Sequence, residues 1–243
     1  MSFGRPPTRL VRLFVWTAVT TVILFVGLQL RRSTDGKTIS QQLAQYGPAT
    51  DQRLIPAFAH RNVPYPPTNL ALIGFKEEHI LEVWAAGKDN AYAFIKAYPI
   101  IAASGTPGQK LQEGDGQTPE GLYRIESLNP NSHYHLALRV SYPNEFDRLN
   151  ARRDGRKDLG GDIMIHGGNA SIGCLAMGDE AAEDLFVLAA RTGIKNIVVI
   201  LSPVDFRRRD LPKPVLKPAW VESLYTNIRE ALKVFPKSSA VES

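Results

Sequence analysis

Apolar and polar positions divide the chain into stretches of different rhythm. Leu13 to Leu30 reads LFVWTAVTTVILFVGLQL, uncharged and apolar on every face. As a helix it would reach about 27 Å, close to the roughly 30 Å hydrocarbon core of a bilayer. Arg5, Arg9 and Arg12 precede the run and Arg31, Arg32 and Lys37 follow it, so charge bias does not set its orientation. No A-x-A-like cleavage site precedes Leu30, and no nearby cysteine allows lipoprotein processing. Residues 1–32 are therefore expected to be a short N-terminus plus an uncleaved signal anchor, with the rest of the chain extracytoplasmic. A cleaved signal is the rival reading, and a buried core helix the weaker one.

Residues 33–67 are polar, with a short helical candidate at 39–46 and the proline-bearing VPYPP at 63–67, and read as a linker. From 68 to 204 the rhythm changes to short β-rich runs bounded by turn residues, at 70–75, 79–85, 92–102, 121–127, 135–140, 162–166 and 196–202. Between them lie loops such as GTPGQKLQEGDGQTPEG and NARRDGRKDLGG. Seven strand candidates with little helix predict a mainly antiparallel sandwich or barrel with α additions. One helix interrupts them at 179–191, where Ala182, Leu185, Phe186 and Ala189 share a face. Acidic residues crowd its start, Arg191 closes it, and Gly193 stands at the cap position. The last part, 205–243, reads as the proline-rich FRRRDLPKPVLKP and a C-terminal helix at 219–234. In that helix Trp220, Leu224, Ile228 and Leu232 recur every four residues and are expected to pack on the domain.

Of the 243 residues 44% are hydrophobic and 22% charged, the balance of an ordinary globular protein, which removes disorder as the default for the middle of the chain. A net charge of +5 identifies no particular anionic partner. The basic run Arg207-Arg208-Arg209 has no interleaved aromatics, so nucleic-acid binding is not expected. The single cysteine, Cys174, excludes an internal disulfide. Alone, such a residue is either a small buried hydrophobe or a reactive thiol.

Its neighbourhood decides between these. In GGDIMIHGGNASIGCLAMGDE, 160–180, a β-like run ends at His166, a glycine-rich loop follows, and Gly173-Cys174 precedes a helix. The strand would hold the imidazole, while Gly167 and Gly168 would let the chain reverse without a side-chain clash. The helix N-terminus would lower the thiol pKa. Thiolate and imidazole are the minimum set for acyl transfer, with backbone N–H groups at Gly173 and Cys174 placed for an oxyanion. Ser171 would orient His166, bind substrate or stabilise the loop. A zinc site from His133, His135, His166 and Cys174 is the rival; the lone cysteine lacks a C-x-x-C partner, and His133 and His135 fit strand alternation equally well.

HGGNASIGCLAM resembles the active-site signature of the YkuD-type L,D-transpeptidase catalytic domain, in particular its YafK-like branch. GDGQTPEGLYRI at 114–125, similar to the family's T-P-x-G turn entering a strand, SLNPNSHYHLALRVSYPNEFD at 127–147 and LGGDIMIHG at 159–167 agree in order, so the resemblance covers roughly 70–203. It implies a YkuD-like β-sandwich or barrel over 68–204, with Cys174 as nucleophile, His166 as base and then acid, and Gly173 in the oxyanion loop. The substrate would be a peptidoglycan stem peptide, attacked before a D-residue to give a thioester that passes to an amine or to water. No metal or organic cofactor is implied. Two positions depart from the commoner pattern: Ile172 replaces a second histidine, and Ala176 replaces an arginine that would anchor a carboxylate. Both are features of the YafK-like branch and leave the substrate open. Hydrolysis releasing a wall-linked lipoprotein is the alternative within that branch, and a non-catalytic wall-binding module is the reading from another class.

Overall fold

The computed structural model describes residues 36–211 and 218–237. The expected anchor and residues 212–217 of the proline-rich connection lie outside the described residues. Among the described residues no helix is long and apolar enough to cross a membrane.

Among the described residues nine strands form the frame: β1 Asn69–Phe75, β2 Ile80–Ala86, β3 Tyr92–Pro99, β4 Ala102–Ala103, β5 Gly121–Ser132, β6 His135–Val140, β7 Met164–His166, β8 Leu175–Ala176 and β9 Ile197–Ser202. Four α-helices of the described residues accompany them: α1 Ile39–His60, α2 Glu145–Arg153, α3 Asp179–Thr192 and α4 Trp220–Leu232. The strand order is β3-β2-β1-β9-β5-β6-β7-β8-β4. Pairing is antiparallel except at β1–β9 and β7–β8. The expected sheet-dominant fold with added helices is therefore present. β5 belongs to two ladders, since Gly121–Arg124 pair with β9 while Ile125 onward pairs with β6.

β1 shows why its sequence is apolar without alternation. Leu70 and Leu72 enter one core with Leu54 and Phe58 of α1 and Leu185 and Phe186 of α3. Ala71, Ile73 and Phe75, on the opposite face, pack against Val221, Leu224, Tyr225, Ile228 and Leu232 of α4. A strand covered on both faces needs apolar side chains at every position. The four-residue recurrence in α4 is the stripe that supplies one cover.

Two local readings change. The short helix expected at 39–46 runs on to His60, through Pro48 and Pro56. Interior prolines remove helix hydrogen bonds, and tertiary contacts outweigh that loss. Thr38 and Gln41 form a capping box, Leu54 and Phe58 are buried, Asp51 pairs with Arg191, and Arg53 reaches the buried Asp184 at 2.7 Å. Burying one large apolar side chain is worth about 1.5–3 kcal/mol. This segment is part of the folded body and not a loose connector. The second change is α2, which starts inside the motif stretch 127–147 and takes in the first four residues of the expected loop NARRDGRKDLGG. It has little apolar periodicity, but Asn144 and Asp147 build a capping box, with acidic residues in its first turn and basic ones in its last. The helix at 179–192 ends as expected on Gly193, at φ 85° with its N–H on the Ala189 carbonyl.

The basic run is neutralised within the fold. Arg207 makes a two-pronged contact with the buried Glu82 at 3.0 and 3.0 Å, Arg208 meets Asp205, and Arg209 meets Glu77 and Glu78.

Candidate active site

β7 and β8 lie side by side in parallel, with Ile165 opposite Leu175 and His166 opposite Ala176. Cys174 stands immediately before β8, and its Sγ meets the Asp162 carbonyl of the chain entering β7, the strand that ends at His166. β4 flanks β8 on its other side, with Ala103 opposite Leu175, so Ser104 falls across from Cys174.

The imidazole is 2% exposed. Its Nδ1 lies 2.6 Å from the Gly167 carbonyl, which can only accept, so Nδ1 carries the proton and Nε2 presents a lone pair. Tyr134 lies against the ring at 4.8 Å between centroids. Burial lowers the His166 pKa below its ordinary value, with the Gly167 carbonyl opposing that effect in part. Gly167 is required by space: a Cβ there would stand 2.6 Å from Asp179 Oδ1 and 2.9 Å from His135 Cβ.

Cys174 is half-buried and its thiol donates to the Asp162 carbonyl at 3.5 Å. Burial pushes its pKa up, and neither a hydrogen bond from the Met164 backbone nor the charge of Lys110 reverses this. The expected lowering by a helix N-terminus does not hold. β8 and two further residues separate Cys174 from α3, and a helix dipole fades within one turn. Asp179, the first residue of α3, turns its side chain to the glycine loop, Oδ1 accepting the Gly168 N–H at 2.8 Å.

The loop around the thiol is clamped from three sides. Ser171 Oγ donates to the Cys174 carbonyl at 2.7 Å, so it stabilises the loop. Thr118, from the T-P-E-G turn, approaches the same carbonyl at 3.5 Å. Gly173 adopts φ 97°, a Cβ there would meet the Gln117 carbonyl at 3.3 Å, and its N–H donates to Ser104 Oγ. That N–H, expected to face an oxyanion, is thus occupied by a side chain.

The rival zinc ligands are not brought together. His135 Nε2 lies 3.0 Å from Glu183 and its ring meets Tyr46 edge-on. Among the described residues no group of three His, Cys, Asp or Glu side chains is arranged to hold a metal.

Sequence reasoning assigned no role to Ser104, Thr118 or Glu120. The T-P-E-G motif was visible, but its purpose lies in contacts distant in sequence. Glu120, fully buried, receives Lys76 Nζ at 3.0 Å, the Gly108 N–H at 2.8 Å and the Tyr225 hydroxyl at 2.7 Å.

Residues 71–200 match the family model of the YkuD L,D-transpeptidase catalytic domain. Over 114 residues the chain is 34% identical to YafK of Escherichia coli (strain K12), a protein whose L,D-transpeptidase name is itself provisional. That match covers 46% of this chain and 44% of YafK, so the similarity spans less than half the length of this curated relative. Among crystal structures, the chain is similar to the helical cell shape determining protein Pgp2 from Campylobacter jejuni, with 25% identity, a TM-score of 0.46, and coverage of 56% of this chain and 48% of that one. It is also similar to Bd1075 of Bdellovibrio bacteriovorus, with 19% identity, a TM-score of 0.41, and coverage of 58% and 50%.

Proposed function

Because this chain belongs to the YkuD L,D-transpeptidase catalytic domain family, we propose that it performs acyl transfer on peptidoglycan stem peptides through a thioester on Cys174. The observation that supports this reading is the parallel pairing of β7, which ends at His166, with β8, which begins directly after Cys174, while the Gly167 carbonyl keeps Nδ1 protonated.

In the proposed cycle His166 Nε2 takes the thiol proton as sulfur attacks the carbonyl carbon. The raised thiol pKa and lowered imidazole pKa make the resting pair neutral, so proton transfer accompanies attack instead of preceding it. The thiol must first turn from the Asp162 carbonyl toward the imidazole. As the tetrahedral intermediate collapses, the leaving amine receives the proton from His166. An incoming amine or water then repeats the steps in reverse.

Hydrolysis is the second reading, with a protein joined to the wall, such as a lipoprotein, as the released group. The buried Ala176 favours it, because the strand after the cysteine offers no cation to fix a second stem peptide. The proposal also places the catalytic domain outside the cytoplasm, held by the apolar segment at 13–30.

Incubation with purified muropeptides tests both. Wild-type protein is expected to give cross-linked masses when an amine acceptor is supplied, and trimmed masses when water alone accepts. Cys174→Ala is expected to give neither while remaining folded; turnover by that variant at the wild-type rate would reject the nucleophile.

A further inference from the structure

We propose that Ser104 is a catalytic residue, its hydroxyl donating a hydrogen bond to the oxyanion that forms when Cys174 attacks. This rests on the Cys174 acyl-transfer reading and adds a group that the sequence did not reveal.

Three observations carry it. First, β4 and β8 are antiparallel with Ala103 opposite Leu175, so Ser104, the residue after β4, comes beside Cys174, the residue before β8. Second, Ser104 Oγ accepts the N–H of Gly173, the residue before the nucleophile. A backbone N–H beside the attacking atom is the usual oxyanion donor, and here that N–H is taken by the Ser104 hydroxyl. Third, a serine hydroxyl has one proton to give, and among the described residues no acceptor takes it. An amide donating into a hydroxyl polarises its O–H and strengthens the bond that the hydroxyl gives in turn.

Ser104 is held for this purpose. Its carbonyl accepts both the N–H and the hydroxyl of Thr118 at 3.3 Å. The donor is thereby tied to the T-P-E-G turn before substrate arrives, so no reorganisation is needed when charge develops.

No proton leaves Ser104 in this step. The sulfur–carbon bond forms, the carbonyl π pair moves to oxygen, and the Ser104 and Cys174 donors stabilise that charge. The pair then returns as the carbon–nitrogen bond breaks, with the leaving nitrogen protonated by His166.

Two probes of Cys174 separate this role from mere positioning. Acylation by a carbapenem passes through an oxyanion, whereas alkylation by iodoacetamide does not. Ser104→Ala is expected to slow acylation by about 100- to 1,000-fold and to leave alkylation within about twofold, and Ser104→Thr is expected to restore acylation. Unchanged or faster acylation by Ser104→Ala would show that the Gly173 N–H serves the oxyanion directly and would overturn the proposal. Equal slowing of both probes would also overturn it, leaving a structural role. Should Ser104→Ala fail to fold, Ser104→Thr and Ser104→Val, alike in shape, carry the comparison: equal acylation rates reject the hydroxyl. A wild-type protein alkylated but never acylated at Cys174 would reject the acyl-transfer reading itself.

Discussion

Tyr225, on the last described helix, donates its hydroxyl to Glu120 in the T-P-E-G turn at 2.7 Å, and both side chains are buried. The same carboxylate receives Lys76, whose ammonium also bonds the Thr118 carbonyl at 2.9 Å. Thr118 in turn approaches the backbone of Cys174. The far side of the sheet is thus joined to the nucleophile loop through one buried ion pair and one phenol.

Tyr225→Phe keeps the packing and removes only the hydroxyl. It should cost about 1–3 kcal/mol in a urea unfolding midpoint, because a buried carboxylate oxygen loses its donor. Glu120→Gln should cost more, about 3–5 kcal/mol, since it leaves the Lys76 charge buried without its partner. A smaller loss for Glu120→Gln than for Tyr225→Phe would contradict this ranking.

Burial holds the His166 pKa below 6.5. The neutral ring is the base, so activity is lost as pH falls through that lowered value and persists where a free imidazole would already be mostly charged. A profile of kcat/KM against pH should therefore show an acid limb with its midpoint under 6.5. A midpoint above 7 would mean that the limb belongs to another group.

The thiol behaves oppositely to an activated cysteine. Its pKa is raised above 9.0, so at neutral pH the protein should carry almost no thiolate. Iodoacetamide should react with Cys174 more slowly at pH 7 than with an exposed cysteine in a short peptide, and the rate should climb with a midpoint above 9. Rapid labelling with a midpoint below 7 would restore the preformed ion pair.

Asp147 gives a stability signature away from the site. Buried beside Tyr123, its carboxyl is pushed up from 3.8 to about 6. Between these values the folded chain holds a proton that the unfolded chain has released, so this contribution is present below about 4 and lost as pH rises through about 6. Stability should fall by on the order of 2 kcal/mol across that window. Asp147→Asn should flatten the dependence, as measured by urea unfolding at pH 4, 5 and 6.

The strand frame was legible because β1, β2 and β9 are covered on both faces and are largely apolar, the buried Glu82 of β2 being held by Arg207, and β6 begins and ends where its residues predicted. The amphipathic spacing of α4 was legible because it turns one stripe to a core, while α3, legible by its caps and apolar run, buries most of its length. What escaped had causes that no local window contains. α1 persists through two prolines because distant residues, Asp184 and Arg191, hold it. β4 and β8 are two residues long, β4 pairing with β8 alone and β8 set between β4 and β7, so neither shows in a local window. His166 and Cys174 were visible through a glycine-rich motif, but the direction of the thiol pKa depended on burial and on how far α3 begins from the sulfur. Ser104 follows β4, about seventy positions from Cys174 in sequence, and only the pairing of β4 with β8 brings it to the Gly173 N–H.

The contact between Arg207 and Glu82 bears on how small the molecule can be made. A fragment trimmed to the signature-bearing stretch, stopping near 204, would discard the guanidinium that compensates an acid beneath Trp84 and would bare the apolar side of three central strands. Such a piece would keep every atom of the proposed chemistry and still lack the scaffold that aims it.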